Sequence, residues 1–126
     1  MLSNATAIAT IGVRDITVAR EFYEKKLSLV PLEEDEEAEV IIYKSGNSLI
    51  EVYRSEYAGT NKATALTWSV PKDIDKEVKN LKDRGVTFEH YNFTQMKLEG
   101  DLHVMGEYKV AWFKDPDGNI LSIHNQ

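Results

Sequence analysis

The chain has 126 residues, 42% of them hydrophobic and 29% charged, which fits one folded domain and excludes a disordered tail. It has no cysteine, so disulfides, zinc ribbons, iron–sulfur clusters and thiol nucleophiles are excluded together. The net charge is −6, and the 15 Lys and Arg residues are scattered among acids without forming a basic stripe, so nucleic acid is not an expected partner.

The first thirty residues lack the basic start, apolar run and small-residue cleavage site of an export signal, and no 18-residue apolar stretch follows, so no membrane partner is expected. Ala7 to Val13 is short, β-branched and apolar, which predicts a strand. Asp15 is placed to cap a helix from Ile16 to Leu27, whose apolar residues Val18, Ala19, Phe22, Tyr23 and Leu27 recur at spacings of three and four. Three strands are expected next, at Leu29 to Leu32, Glu39 to Lys44 and Ser48 to Arg54. The first two are separated by Glu33, Glu34, Asp35, Glu36, Glu37 and Glu39, which carry as much negative charge as the whole chain and read as a solvated hairpin tip.

After the polar link near Tyr57 to Lys62 the same order restarts. Thr64 to Val70 predicts a strand, Asp73 caps a helix with Ile74, Val78 and Leu81 on its apolar face, and Gly85 ends it. Val86 to His90 predicts a further strand, Asn92 to Glu107 shows no period and reads as a long loop, and Lys109 to Lys114 and Asn119 to Asn125 form a final pair around an Asp-Pro-Asp-Gly turn. The fold class is therefore α+β, with two βαβββ modules at about 5–57 and 63–126. A module of this size covers only one face of its sheet, so two must close on each other or on a second chain, leaving a curved-sheet cleft and predicting a homodimer.

Ile11-Gly12-Val13-Arg14-Asp15 running into Phe22-Tyr23-Glu24-Lys25-Lys26-Leu27, with Trp112-Phe113-Lys114-Asp115-Pro116-Asp117-Gly118-Asn119 near the end, resembles the vicinal oxygen chelate superfamily of glyoxalase I, extradiol dioxygenases and bleomycin resistance proteins. In its metal-dependent members one divalent ion is held by side chains from four cleft-facing strands. The resemblance places those positions at Ile8, Glu51, Ala65 and Ser122. Of these, Glu51 alone is a strong ligand, because Ile and Ala offer no lone pair and a serine hydroxyl is weak. No cofactor is therefore expected.

The expectation is a cytoplasmic protein, similar to bleomycin resistance proteins, that binds a small organic molecule in an apolar cleft. Strand alternation selects Glu51, Tyr53, Thr67, Ser122 and His124 as cleft-facing, with His103, Met105 and Trp112 added from the long loop and the strand after it. Met96, Leu98, Leu102, Val104, Met105 and two glycines suit that loop either to a lid over the cleft or to static packing on the sheet edge or in a dimer contact. The alternative is a glyoxalase-like lyase or dioxygenase-like enzyme holding one divalent metal ion at a non-standard site of Glu51, His124 and His103, with Glu51 the weak candidate for proton transfer.

Overall fold

The computed structural model describes all 126 residues. They form two compact units, Met1–Ala58 and Gly59–Gln126, each built on its own sheet.

In the first unit a 3₁₀ turn at Leu2–Asn4 precedes β1 (Ala9–Val13). Asp15 caps the helix as expected, its carboxylate accepting the Thr17 and Val18 N–H groups at 2.8 and 3.3 Å. The helix is α-helical over Ile16–Arg20 (α1) and then widens to a π-helix over Glu21–Lys26, with Leu27 N–H donating to Phe22 O. It buries Ala19, Phe22 and Tyr23. Val18, assigned to that stripe from its spacing, is instead 47% exposed, because it sits about 100° around the axis from Ala19.

The strands β2 (Val30–Asp35), β3 (Val40–Ser45) and β4 (Ser48–Arg54) complete a sheet of order β1-β4-β3-β2, with β1 and β4 parallel. The period-two reading of β4 holds: Ile50 and Val52 are buried while Leu49, Glu51 and Tyr53 face the other way. Under the helix, Tyr23 stacks on Tyr43 of β3 at 6.2 Å.

The acidic run is not only a tip. β2 extends through Glu33, Glu34 and Asp35, and Glu34 is drawn back to the helix by Arg20, whose Nη1 lies 2.6 Å from Glu34 Oε1 and 2.8 Å from Glu24 Oε2. The Tyr43 hydroxyl donates to the same Glu24 oxygen at 2.8 Å. Burial, then this hydrogen bond to Glu24, push the Tyr43 phenol well above its ordinary pKa, and the hydrogen bond to Glu34 raises that of Arg20 against the opposing effect of burial.

The second unit follows the same plan with an added hairpin, as β5 (Thr64–Ser69), α2 (Ile74–Asp83), β6 (Phe88–Glu89), β7 (Lys97–Glu99), β8 (Leu102–Met105), β9 (Tyr108–Lys114) and β10 (Ile120–His124). Asp73 caps α2 through Lys76 N–H at 3.1 Å, and Gly85 follows with φ 93°. Ile74, Val78 and Leu81 are buried, and Trp68 and Phe88 both meet Phe113, at 6.2 and 5.7 Å between ring centroids.

The sheet order is β5-β10-β9-β8-β7, with β6 also pairing β9. Two strands thus share one edge of β9: β6 takes Phe113 and Trp112, and β8 takes Val110, Lys109 and Tyr108. This corrects the reading of Asn92 to Glu107 as a loop. Its second half is the β7–β8 hairpin, turned at Gly100 with φ 63°, and its hydrogen-bonding capacity is met by the sheet. Lys82 of α2 and His90 hold the turn by Asp101, at 2.8 and 2.7 Å.

Candidate functional site

Register places the sequence-predicted residues of the second unit on one sheet face. Ser122 lies opposite Trp112 on one side and beside Thr67 on the other, while His124 and His103 both pair with Val110, and Met105 pairs with Tyr108. The opposite face carries Ala111, Phe113, Leu121 and Ile123, all buried.

On the candidate face the polar groups are largely engaged with one another. The Thr67 and Ser122 hydroxyls share a hydrogen bond of 2.7 Å, and Trp112 Nε1 donates to Thr64 Oγ1 at 3.1 Å. His124 Nδ1 accepts the Gln126 N–H at 3.3 Å, and its ring lies 6.0 Å from that of Tyr108. Met105 is 49% exposed.

His103 departs furthest from expectation. A loop position free to fold over a cleft, or an ordinary polar loop residue, would be hydrated. His103 is instead a strand residue of β8, 1% exposed. Its Nε2 accepts the Tyr91 N–H at 2.9 Å. Its ring sits 4.9 Å from Trp112 and 5.9 Å from each of Tyr91 and Phe93, and those three rings also contact one another. The result is a four-ring box. Tyr91 and Phe93 lie in the irregular stretch after β6, so neither strand nor helix periodicity could assign them to it. The density of aromatics around Trp112 was the available signal.

In the first unit, Glu51 is half-buried on the open face of β4, with Thr10 and Ile42 as its sheet neighbours. None of the chain's ion pairs engages it. Tyr53, two residues on, lies beside Gly12 and is 38% exposed.

The four strand positions that hold a divalent ion in metal-dependent proteins of this fold carry donors that do not fit one. Ile8 precedes β1, is 44% exposed and has no lone pair, as Ala65 has none, and the Ser122 hydroxyl is bonded to Thr67. No group of three or more His, Cys, Asp or Glu side chains comes together anywhere in the chain, and the His103 nitrogen bonded to Tyr91 has no lone pair left for a metal. Of the alternative ligand set Glu51, His124 and His103, His103 is thereby committed to the Tyr91 N–H.

No curated protein matches the chain. Among solved structures, a glyoxalase family protein from Enterococcus faecalis is 20% identical with a TM-score of 0.72, covering 98% of this chain and 99% of its own. The fosfomycin resistance protein FosX from Mesorhizobium loti is 12% identical with a TM-score of 0.69, covering 100% and 94%. A FosX mutant from Listeria monocytogenes, whose structure holds Mn(II), is 15% identical with a TM-score of 0.68, covering 99% and 91%. These likenesses establish a shared fold. The profile of one protein family matches residues 6–123, nearly the whole chain, so the protein belongs to the Glyoxalase/Bleomycin resistance protein/Dioxygenase superfamily.

Proposed function

We propose that this member of the superfamily binds a small organic molecule without a resident metal, in the manner of the bleomycin resistance proteins. The observation that carries the reading is the donor set at the four strand positions: two aliphatic side chains, one hydroxyl already bonded to Thr67, and the single carboxylate of Glu51. A divalent ion there would draw most of its ligands from water.

What the same faces offer is suited to an organic guest. The second unit presents Trp112, Tyr108, Met105 and the Thr67–Ser122 hydroxyl pair, which combine apolar area with a few orienting polar groups. The first presents Glu51 and Tyr53. Glu51 is a hydrogen-bond or charge partner for a neutral or cationic ligand in this reading, which does not require it to transfer a proton. Assembly as a homodimer belongs to the same reading, since a module of this size covers one face of its sheet, and the lack of any cysteine permits a cytoplasmic setting. No helix is long and apolar enough to cross a membrane.

The test is a thermal-shift screen of aromatic and cationic small molecules, run with and without EDTA. The expected result is a set of ligands that raise Tm equally in both, with the shift lost in Trp112→Ala or Glu51→Gln. Ligand shifts that vanish with chelator would instead favour the glyoxalase-like or dioxygenase-like metalloenzyme.

A further inference from the structure

One buried side-chain polar atom in the chain has no hydrogen-bond partner, His103 Nδ1. Its chemistry follows from the other ring nitrogen. Because Nε2 accepts the Tyr91 N–H at 2.9 Å, Nε2 is unprotonated and the proton of the neutral imidazole resides on Nδ1. The ring therefore holds an N–H donor away from water with no acceptor opposite. Leaving such a donor unpaired is unfavourable, and a strand position that merely filled the core would be served better by Leu or Phe.

The surroundings indicate what could pair with it. Phe93 lies against both His103 and Trp112, at 5.9 and 5.5 Å, yet is 43% exposed. It belongs to a stretch without helix or strand structure that is tied to β8 by the Tyr91–His103 bond. Leu98, directly opposite His103 across the hairpin, is 41% exposed, and Met105, two residues on, is 49% exposed. A buried donor is thus rimmed by apolar side chains open to solvent, and the ring beside it is the one least enclosed.

We propose that this box receives a planar aromatic ligand carrying a neutral hydrogen-bond acceptor. The ligand ring replaces that of Phe93 against Trp112, and its acceptor takes the His103 Nδ1–H. This rests on the reading of the protein as a binder of small organic molecules and narrows it to a ligand class and a donor atom.

Isoquinoline, unprotonated at slightly alkaline pH, is the probe, and naphthalene is the same ring system without the acceptor. Titrated into the full ¹⁵N-labelled chain, isoquinoline should move the His103 Nδ1–H and Trp112 Nε1–H resonances and bind about tenfold more tightly than naphthalene, the worth of one net hydrogen bond. His103→Phe keeps the rings and should abolish that preference. His103→Gln keeps a donor and should retain part of it. Phe93→Ala removes the competing ring and should tighten binding of isoquinoline, a gain that a purely structural Phe93 would not give.

Equal affinities for the two probes would mean that the Trp112 ring face already satisfies the donor, and would overturn the proposal. So would an unmoved His103 resonance, a measurement on the unmodified protein that stands even where His103→Phe fails to fold. If screened molecules bind but perturb Thr67, Ser122 or Glu51 and leave His103 unmoved, the general reading survives and this one fails. If stoichiometric metal is found instead, the general reading fails while the isoquinoline titration still decides the role of His103.

Discussion

The hydroxyl pair of Thr67 and Ser122 gives an asymmetric prediction. Ser122 is 3% exposed, whereas Thr67 lies on the exposed side of β5, and the two oxygens are 2.7 Å apart. Thr67→Val is nearly isosteric in a strand and leaves the Ser122 hydroxyl buried with its partner gone, so it should cost about 1–3 kcal/mol. Ser122→Ala leaves Thr67 free to turn to solvent and should cost only about 0.5–1 kcal/mol. The double variant has no orphaned group and should be more stable than the sum of the two losses by about 1 kcal/mol. Urea denaturation of the four proteins measures the cycle. In thermal melts, each kcal/mol should appear as roughly 4 °C for a chain of this size. If Thr67→Val costs no more than Ser122→Ala, or if the losses add, the Ser122 hydroxyl is not committed to Thr67. It would then be available as a ligand, and the four strand positions would offer a second donor beside Glu51.

Tyr43 and Asp101 make opposite pH predictions. Tyr43 keeps its phenol above the ordinary value of 10.0 through burial and its bond to Glu24, so the unfolded chain ionises first and stability should fall as pH rises past 10. Tyr43→Phe should flatten that alkaline loss, read by denaturant midpoints across the range, at a cost of about 1 kcal/mol at neutral pH. The Asp101 carboxyl is held below 3.8 by the Lys82 hydrogen bond and then by His90, against the opposing effect of burial. Its contribution is therefore present above that value and lost as pH falls through the folded pKa. Asp101→Asn should remove this part of the acid sensitivity and cost about 1 kcal/mol at neutral pH, since Lys82 is exposed and screened. Gly59 has φ 71° and its missing Cβ would lie 1.8 Å from the Asp117 carbonyl oxygen, so Gly59→Ala should destabilise by on the order of 3 kcal/mol, measurable as a large drop in Tm. An unchanged melt would show that the turn at Asp117 yields.

Which parts of this arrangement were legible depends on how local their causes are. Asp15 and Asp73 announce two helix starts because capping involves N–H groups only two or three residues away. The face of Glu51 is readable because Ile50 and Val52 alternate with it on a strand covered on one side. The β7–β8 hairpin was not readable. β7 is three residues long, and in β8 both Leu102 and His103 are buried, so alternation never develops. The box around His103 needs Tyr91, Phe93 and Trp112 brought together by the pairing of β6 and β8 on one edge of β9. The bond from Arg20 to Glu34 similarly depends on β2 running through the acidic residues rather than stopping before them. These are consequences of tertiary pairing, and no window along the chain contains them.

In the proposed reading, the positions used for a metal elsewhere in this superfamily hold none here. Metal analysis of the full chain, expressed with Mn, Fe, Ni and Zn in the medium and purified without chelator, tests it most directly. The expected result is sub-stoichiometric metal only, and a melting temperature that EDTA does not change. A stoichiometric divalent ion that disappears in Glu51→Gln would contradict it.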